Sequence, residues 1–240
     1  MKAVVFEEFG GSDVLQVQEL PDPEPGPGEV AVDILASALN HLDVDVREGV
    51  SRFPVEPPFV LGVEVVGRIT ALGEGVTGWE VGERVMPYLM ATCGECVYCR
   101  TGRESLCPSA GFISFSTSGG YAEKLACSVR HLIRIPDSLS DEAAAATQIA
   151  FGTAWHMLFT RGRLAPAERV MINSVGSGIG SAAVQLAFRV PPPAVDACHA
   201  ELVAKGVPIV RGPTDLPDWR HRALFFRDPE ANVIEIYAEY

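Results

Sequence analysis

Positive charge is scarce in this sequence. Its 240 residues include 19 lysines and arginines against 31 aspartates and glutamates, which gives a formal net charge of −12. Proteins that bind nucleic acid or anionic membranes neutralise phosphates with a basic patch, and no basic stripe is present here. The composition therefore argues against a nucleic-acid or membrane partner. With 48% hydrophobic residues, the chain has ample apolar material for one large domain or two modest ones.

Long apolar segments are also missing. The N-terminal MKAVVFEEFGG places acidic residues inside a short apolar run and lacks the long apolar stretch of a signal peptide. No uninterrupted apolar segment approaches the length that crosses a bilayer. We therefore expect a soluble cytoplasmic protein, in which Cys127 and Cys198 are buried thiols rather than a disulfide.

Short strands separated by turn formers are predicted in the first half of the chain. Apolar runs at 2–6, 29–36, 61–70 and 83–90 predict strands, and PDPEPGPG between the first two excludes a helix there. Strands of this length, punctuated by glycine and proline, are typical of a barrel-like all-β domain. Ser140, followed by two acidic residues, then predicts the N-cap of a helix.

The segment from 168 to 202 changes character. Residues 168–175 (ERVMINSV) predict a buried strand, and GSGIGSAAVQLA after it predicts a turn that enters a helix. Residues 185–187 (QLA) fit the end of this helix, or the first strand of a different module. Because Pro191 disfavours α conformation just before it, we expect helix to about Leu186 and extended chain at 188–190.

Four cysteines lie close together in the sequence. They follow the pattern C-x2-C-x2-C-x7-C: Cys93, Cys96, Cys99 and Cys107. Four thiolates can close a tetrahedral zinc site with no position left for water or substrate, so the spacing predicts one structural zinc ion per chain. An iron–sulfur cluster is the chemical alternative. Arg100 and Arg103 lie within this loop and would partly offset the charge of a tetrathiolate.

The motifs occur in the order found in zinc-type medium-chain dehydrogenases/reductases, a family that includes alcohol dehydrogenases and quinone oxidoreductases. The resemblance rests on the cysteine lobe and on GEVAVDILASALNHLDVDVREG, PFVLGVEVVGRITALGEGV, GGYAEKL and VMINSVGSGIGSAAVQLA, and covers residues 1 to about 187. It implies a mixed α+β fold, with a GroES-like β-barrel domain and zinc lobe at 1–135 and a Rossmann segment at 136–187. It also implies NAD(P)-dependent hydride transfer to a small-molecule carbonyl, enone or quinone.

The resemblance also predicts that a second, catalytic zinc is absent. The positions of its three ligands in alcohol dehydrogenases fall on Asn40, Val63 and Ile149, and valine and isoleucine cannot bind a metal. Asn40, His41 and Asp43 are then the polar groups expected near the substrate. His41 could donate a proton to a developing anion, or it could be an ordinary loop histidine. The pattern is closest to the zinc-independent, quinone-reductase-like branch.

The glycine-rich turn is the candidate cofactor site. Its backbone would approach the pyrophosphate of NAD or NADP, and Thr153 matches a position beside the nicotinamide in relatives. The turn comprises Gly176, Ser177, Gly178, Ile179 and Gly180. The family pattern stops after Ala187, so the Rossmann segment is truncated to one β-α step and we expect impaired cofactor affinity.

The last fifty residues predict an α-β-β-β order, with the helix ending at Gly206. They resemble half of a vicinal-oxygen-chelate module, the βαβββ unit of glyoxalases and bleomycin-resistance proteins, and define a third domain at 188–240. In this resemblance Glu235 matches a metal-binding glutamate, or else is a solvent-side strand residue. Gln185 falls at a metal-histidine position if QLAFRV is the first strand. Because such folds use two modules, a homodimer could complete the site.

Three functions follow from these patterns. The first is an NAD(P)H-dependent reductase of the quinone-oxidoreductase type, impaired by truncation. The second is a vicinal-oxygen-chelate metalloenzyme formed by dimerisation, and the third is a non-catalytic chimera with a zinc-stapled β domain. Exposed strand edges favour a homo-oligomer in each case.

Overall fold

The computed structural model describes residues 1–53, 55–116, 119–165, 170–187, 192–217, 221–227 and 233–239. The fold is mixed α+β, and the chain divides into two compact units, Met1–Gln148 and Ile149–Tyr240. The domain boundaries predicted from the sequence, after residues 135 and 187, differ from this division after Gln148 and stay predictions. In the part of the chain that the structure describes, no helix is long and apolar enough to cross a membrane.

The first unit is built from antiparallel strands. Its larger sheet has the order β10-β6-β5-β3-β9, a smaller one the order β2-β1-β4, and β7 pairs with β8. The strands are β1 (Lys2–Phe6), β2 (Gln16–Glu19), β3 (Glu29–Ala38), β4 (Phe59–Val60), β5 (Glu64–Leu72), β6 (Arg84–Pro87), β7 (Met90–Ala91), β8 (Gly111–Phe112), β9 (Lys124–Ser128) and β10 (Leu132–Arg134). The helices are α1 (His41–Arg47), α2 (Val97–Arg100), α3 (Ile113–Ser116) and α4 (Asp141–Ala145).

One core cluster of this unit lies on one face of the larger sheet. Val30 and Val32 of β3, Val65 and Ile69 of β5 and Leu125 of β9 are each fully buried there. Alternate residues of a strand point to the same face, so the apolar alternation in the sequence specifies this packing. The predicted strands at 2–6 and 29–36 are confirmed, whereas the run at 83–90 is divided between β6 and β7.

The helix predicted after Ser140 is confirmed, although it is interrupted. The Ser140 side chain accepts a hydrogen bond from the backbone N–H of Ala143 at 3.2 Å and caps α4. The chain continues as α5 (Gln148–Trp155), which leads into a π-helical turn at His156–Arg161.

The second unit contains α6 (Gly178–Ala187) and α7 (Pro192–Ala204), together with β11 (Ile209–Leu216), β12 (His221–Arg227) and β13 (Val233–Glu239). The three strands form an antiparallel sheet in chain order, and Val195 of α7 packs with Leu224 of β12. The predicted α-β-β-β order is therefore confirmed. Gly206 ends α7 with φ of +70°, a left-handed conformation that glycine adopts without strain.

The buried strand predicted at 168–175 is wrong for its described part, since residues 170–175 belong to no strand and the Met171 side chain is 82% exposed. A strand needs a hydrogen-bonded neighbour. Among the described residues, every strand pairs with another strand outside 170–175, so this segment has no partner strand. The helix α6 instead packs its Ala182 and Ala183 against Ala154 and Leu158.

The two interpretations of the QLA segment are resolved in favour of a helix. Gln185 lies inside α6, where its side chain donates to the Ser181 carbonyl at 3.4 Å, so the alternative that places it on a strand is wrong. The expected extended chain at 188–190 lies outside the described residues. Glu235 lies in β13 opposite Phe225, and its side chain is likewise not described.

Candidate functional site

The four clustered cysteines lie together in space. Their Sγ atoms are separated by 3.5 Å for Cys96–Cys99, 3.6 Å for Cys107–Cys93 and 3.9 Å for Cys93–Cys99. All four Sγ atoms lie within 4.8 Å of one another. A tetrahedral zinc ion with Zn–S bonds of about 2.3 Å requires sulfur–sulfur separations of roughly 3.8 Å. The thiols therefore fit a closed tetrathiolate zinc site.

Local backbone geometry brings these thiols together. Cys96 is the N-cap of α2 and its sulfur accepts a hydrogen bond from the Cys99 N–H at 3.5 Å. Gly94 turns the chain between the first two ligands with φ of +76°. Hydrogen bonds from the backbone N–H groups of Cys96 and Glu95 lower the pKa of Cys93 to about 6. A thiol that ionises easily favours metal binding, because zinc binds the thiolate form.

The lobe that carries these cysteines is held to the barrel by residues that sequence patterns did not indicate. The backbone N–H of Thr92 donates to His131 Nε2 at 3.1 Å, and that of Tyr88 donates to the His131 carbonyl at 2.5 Å. The N–H of Leu89 donates to Gln148 Oε1 at 2.8 Å. These contacts join segments about 40 to 60 residues apart, so no local motif reveals them. These hydrogen bonds anchor Tyr88, Leu89 and Thr92, where the chain enters the lobe.

A second polar cluster surrounds the start of α1. The Asn40 side-chain amide donates to Glu64 Oε2 at 2.7 Å, and the Asn40 backbone N–H donates to Asp43 Oδ2 at 2.8 Å. Glu64 is 2% exposed and Asp43 is 4% exposed, so both carboxyl groups are buried. A buried carboxyl group requires hydrogen-bond donors. Asn40 provides one donor to each.

Asp43 receives further donors from distant segments. The Tyr121 hydroxyl donates to Asp43 Oδ2 at 2.8 Å, and the Gly62 N–H donates to Oδ1 at 3.3 Å. Burial raises the pKa of Asp43, and these hydrogen bonds partly oppose that shift. Burial also raises the pKa of Tyr121, next to the Asp43 charge. This arrangement joins α1 to the segment before β9, and it gives Asp43 an architectural role.

His41 lies apart from this cluster. Its side chain is 87% exposed and its Nε2 atom lies 3.5 Å from Asp45 Oδ1, one turn further along α1. Sequence reasoning grouped Asn40, His41 and Asp43 as catalytic candidates; the structure brings Asn40 and Asp43 together and leaves His41 on the helix surface. Their catalytic roles stay predictions.

Asn40, Val63 and Ile149 occupy the positions at which alcohol dehydrogenases hold their catalytic zinc, and they do not form a set of three metal ligands. Val63 is buried at 2% exposure, and Ile149 is a half-buried residue of α5 in the second unit. Over the residues that the structure describes, the four cysteines are the one set of three or more cysteine, histidine or acidic side chains close enough to bind an ion.

The glycine-rich turn forms the entry to α6. The Ser177 side chain accepts a hydrogen bond from the Gly180 N–H at 3.0 Å and caps this helix. A Cβ atom on Gly180 would lie 2.2 Å from the Ser174 carbonyl oxygen, whereas one on Gly176 would meet nothing within 4 Å. The tight third glycine and the open first glycine fit a turn that receives a pyrophosphate. Among the described residues that precede it, 170–175 form no strand, whereas such turns normally follow one.

The remaining candidates of the cofactor site lie on the helices around this turn. Gly178 is the first residue of α6, and Ile179, its second residue, is 36% exposed. Thr153 is half-buried in α5. Contact of these residues with a nucleotide stays a prediction.

Comparisons with known proteins agree with this architecture. Residues 26–137 match the profile of the alcohol dehydrogenase GroES-like domain. An alcohol dehydrogenase of Geobacillus stearothermophilus is 40% identical over 190 residues, which cover 78% of this chain and 55% of the relative. An acryloyl-coenzyme A reductase of Metallosphaera sedula is 37% identical over 188 residues, with the same shares of 78% and 55%. The chain thus spans about half the length of these relatives.

A solved structure of an NAD-dependent alcohol dehydrogenase superposes with a TM-score of 0.75 at 41% identity, and covers 78% of this chain and 55% of its own. The cobalt- and zinc-bound alcohol dehydrogenase of Pyrobaculum aerophilum gives a TM-score of 0.72 at 32% identity, with shares of 78% and 56%. These dehydrogenases and reductases give no support to the glyoxalase-like half-module or to a chimera. The matched part of the chain is therefore similar to alcohol dehydrogenases and carries the sequence profile of their GroES-like domain.

Proposed function

We propose that the chain is an NAD(P)H-dependent oxidoreductase of the medium-chain family that reduces a small carbonyl, enone or quinone without a catalytic zinc. The relatives named above are alcohol dehydrogenases and an acryloyl-coenzyme A reductase, which supports hydride transfer as the reaction class. The main support for a reaction without a catalytic zinc is the set of residues at the three ligand positions, Asn40, Val63 and Ile149. Neither valine nor isoleucine offers an atom that binds zinc.

Asn40 does not compensate for this loss. Its amide N–H group is already hydrogen-bonded to the buried Glu64 carboxyl group at 2.7 Å. An amide oxygen alone is a weak zinc ligand, and a catalytic zinc requires three protein ligands and one open position. We infer that Asn40 positions Glu64, and that both help to shape the polar wall of the site.

Without a metal to polarise the substrate oxygen, the rate must come from positioning and proton donation. His41 is accessible to solvent, and its Nε2 atom lies 3.5 Å from Asp45 Oδ1. It is the candidate donor for the proton that completes the reduction. The bound nicotinamide supplies the hydride, and the turn at Gly176–Gly180 would hold its pyrophosphate.

The cysteine cluster serves structure in this proposal. Cys93, Cys96, Cys99 and Cys107 would use all four coordination positions of one zinc ion, so neither water nor substrate reaches it. Its binding energy then stabilises a lobe that has few buried apolar side chains of its own.

The test is turnover with NADH and NADPH on a panel of enones, quinones and aldehydes, with zinc content measured on the same sample. We expect oxidation of the nicotinamide by a sample that carries only the cysteine-bound zinc. In His41→Asn, turnover should fall because the imidazole proton donor is lost, whereas the neighbouring Asp45→Asn should have a smaller effect. Absence of both turnover and nucleotide binding at millimolar cofactor would overturn the proposal, as would turnover that requires a second zinc.

A further inference from the structure

We propose that Arg130 is a positioning residue for the zinc lobe and slows the loss of the metal. The inference rests on the proposed binding of zinc by the four cysteines. Arg130 lies in the sequence segment after β9, outside the cysteine loop, and 34 to 37 residues from its first two ligands. Spatial contact alone connects it to the metal site.

The guanidinium group of Arg130 occupies the space beside Gly94 where a side chain would begin. A Cβ atom on Gly94 would lie 1.9 Å from Arg130 Cζ, 1.9 Å from Nη2 and 2.0 Å from Nη1. The group therefore packs directly against the Gly94 backbone. A side chain at position 94 would displace it. Gly94 therefore serves two purposes, since it also adopts the positive φ of the turn between Cys93 and Cys96.

This contact places positive charge beside the ligands. A zinc ion with four thiolates carries a net charge of −2, and its stability depends on nearby cations and N–H donors. Arg130 thus lies against the backbone that joins Cys93 to the next ligand, Cys96.

The backbone of Arg130 is held in a defined turn. It belongs to a short 3-10 turn, Val129–His131, in which the Ser128 side chain accepts a hydrogen bond from the Arg130 N–H at 3.4 Å. The next residue, His131, accepts from the N–H of Thr92, which directly precedes the first ligand. Two consecutive residues of one turn thus contact the two sides of Cys93.

Arg103, which lies within the cysteine loop, makes different contacts. The Arg103 guanidinium lies over the Tyr98 ring at 5.5 Å, and its Nε donates to Thr101 Oγ1 at 3.3 Å. Arg103 therefore provides a matched control, since its replacement removes one positive charge from the same lobe and leaves the Gly94 contact in place.

The experiment measures the rate at which the full chain releases zinc to an excess of a chromogenic chelator. We expect Arg130→Gln to release zinc about 10- to 100-fold faster than the wild type, the usual cost of losing a group that supports metal ligands. Arg103→Gln should stay close to the wild-type rate. Arg130→Lys should give an intermediate rate, because it keeps the charge and loses the planar face.

Circular dichroism of the metal-free proteins provides the folding control, and it should give the same spectrum for all four. Equal release rates for Arg130→Gln and Arg103→Gln would overturn the role of Arg130 and leave the zinc site itself intact. A wild-type chain purified without any zinc would overturn the metal site, and this inference with it.

Discussion

Removal of the Tyr121 hydroxyl tests how the buried Asp43 carboxyl group is stabilised. In Tyr121→Phe, Asp43 keeps the N–H donors of Asn40 and Gly62 and loses the shortest side-chain donor, at 2.8 Å. Hydrogen bonds to charged groups contribute about 1.5–3 kcal/mol, and Asp43 is only 4% exposed, so solvent cannot replace the donor. We expect the free energy of unfolding to fall by about 2 kcal/mol at neutral pH.

The pH dependence of this loss follows from the pKa of Asp43. Burial raises that pKa, and the Tyr121 hydroxyl lowers it by stabilising the charged carboxylate. The variant therefore has a still higher folded-state pKa, while the pKa in the unfolded state is unchanged. The free-energy difference between the two proteins is largest where Asp43 is ionised in both, and it decreases as the pH falls through the raised pKa values.

Urea unfolding followed by circular dichroism at neutral and mildly acidic pH measures both effects. Tyr88→Phe is the matched control, because it removes the same hydroxyl group from a residue that is 42% exposed. The reasoning is refuted if Tyr121→Phe costs no more than Tyr88→Phe, or if its cost is the same at both pH values.

Two further predictions concern local backbone geometry. Ser140→Ala removes the cap of α4 and should lower the free energy of unfolding by about 1 kcal/mol, whereas Ser140→Asp, which can also accept from Ala143, should retain most of it; equal losses in urea unfolding would contradict this. Gly180→Ala forces a Cβ against the Ser174 carbonyl and should weaken NADPH binding more than Gly176→Ala, where the space is open. Nucleotide fluorescence titration measures both variants, and wild-type affinity in both would show that the turn does not hold the nucleotide.

Features specified by neighbouring residues could be predicted from the sequence. The spacing of the four cysteines brings their thiols together through local elements: the turn at Gly94 and the short helix α2 for the first three, and the 3-10 turn Glu104–Leu106 for Cys107. The caps at Ser140 and Gly206 likewise depend on the few residues around them. The helix α6 forms as expected, since its glycine turn and alanine-rich face are local signals.

Features that depend on distant segments could not be predicted. The strand expected at 168–175 fails in its described part, 170–175, because a strand is stabilised by neighbours and the described residues provide none for it. The donors of the Asp43 carboxyl group include Tyr121, which lies 78 residues away. Arg130 and His131 reach the cysteine lobe from a similarly remote turn. No residue spacing encodes contacts of this kind.

The number of zinc ions bound by each purified chain is the most direct test of the central claim, that the metal of this protein serves structure and not catalysis. Elemental analysis should find one zinc ion per wild-type chain and none in a variant that carries Cys93→Ser and Cys107→Ser. Two zinc ions per chain, or one that persists after both substitutions, would contradict the claim.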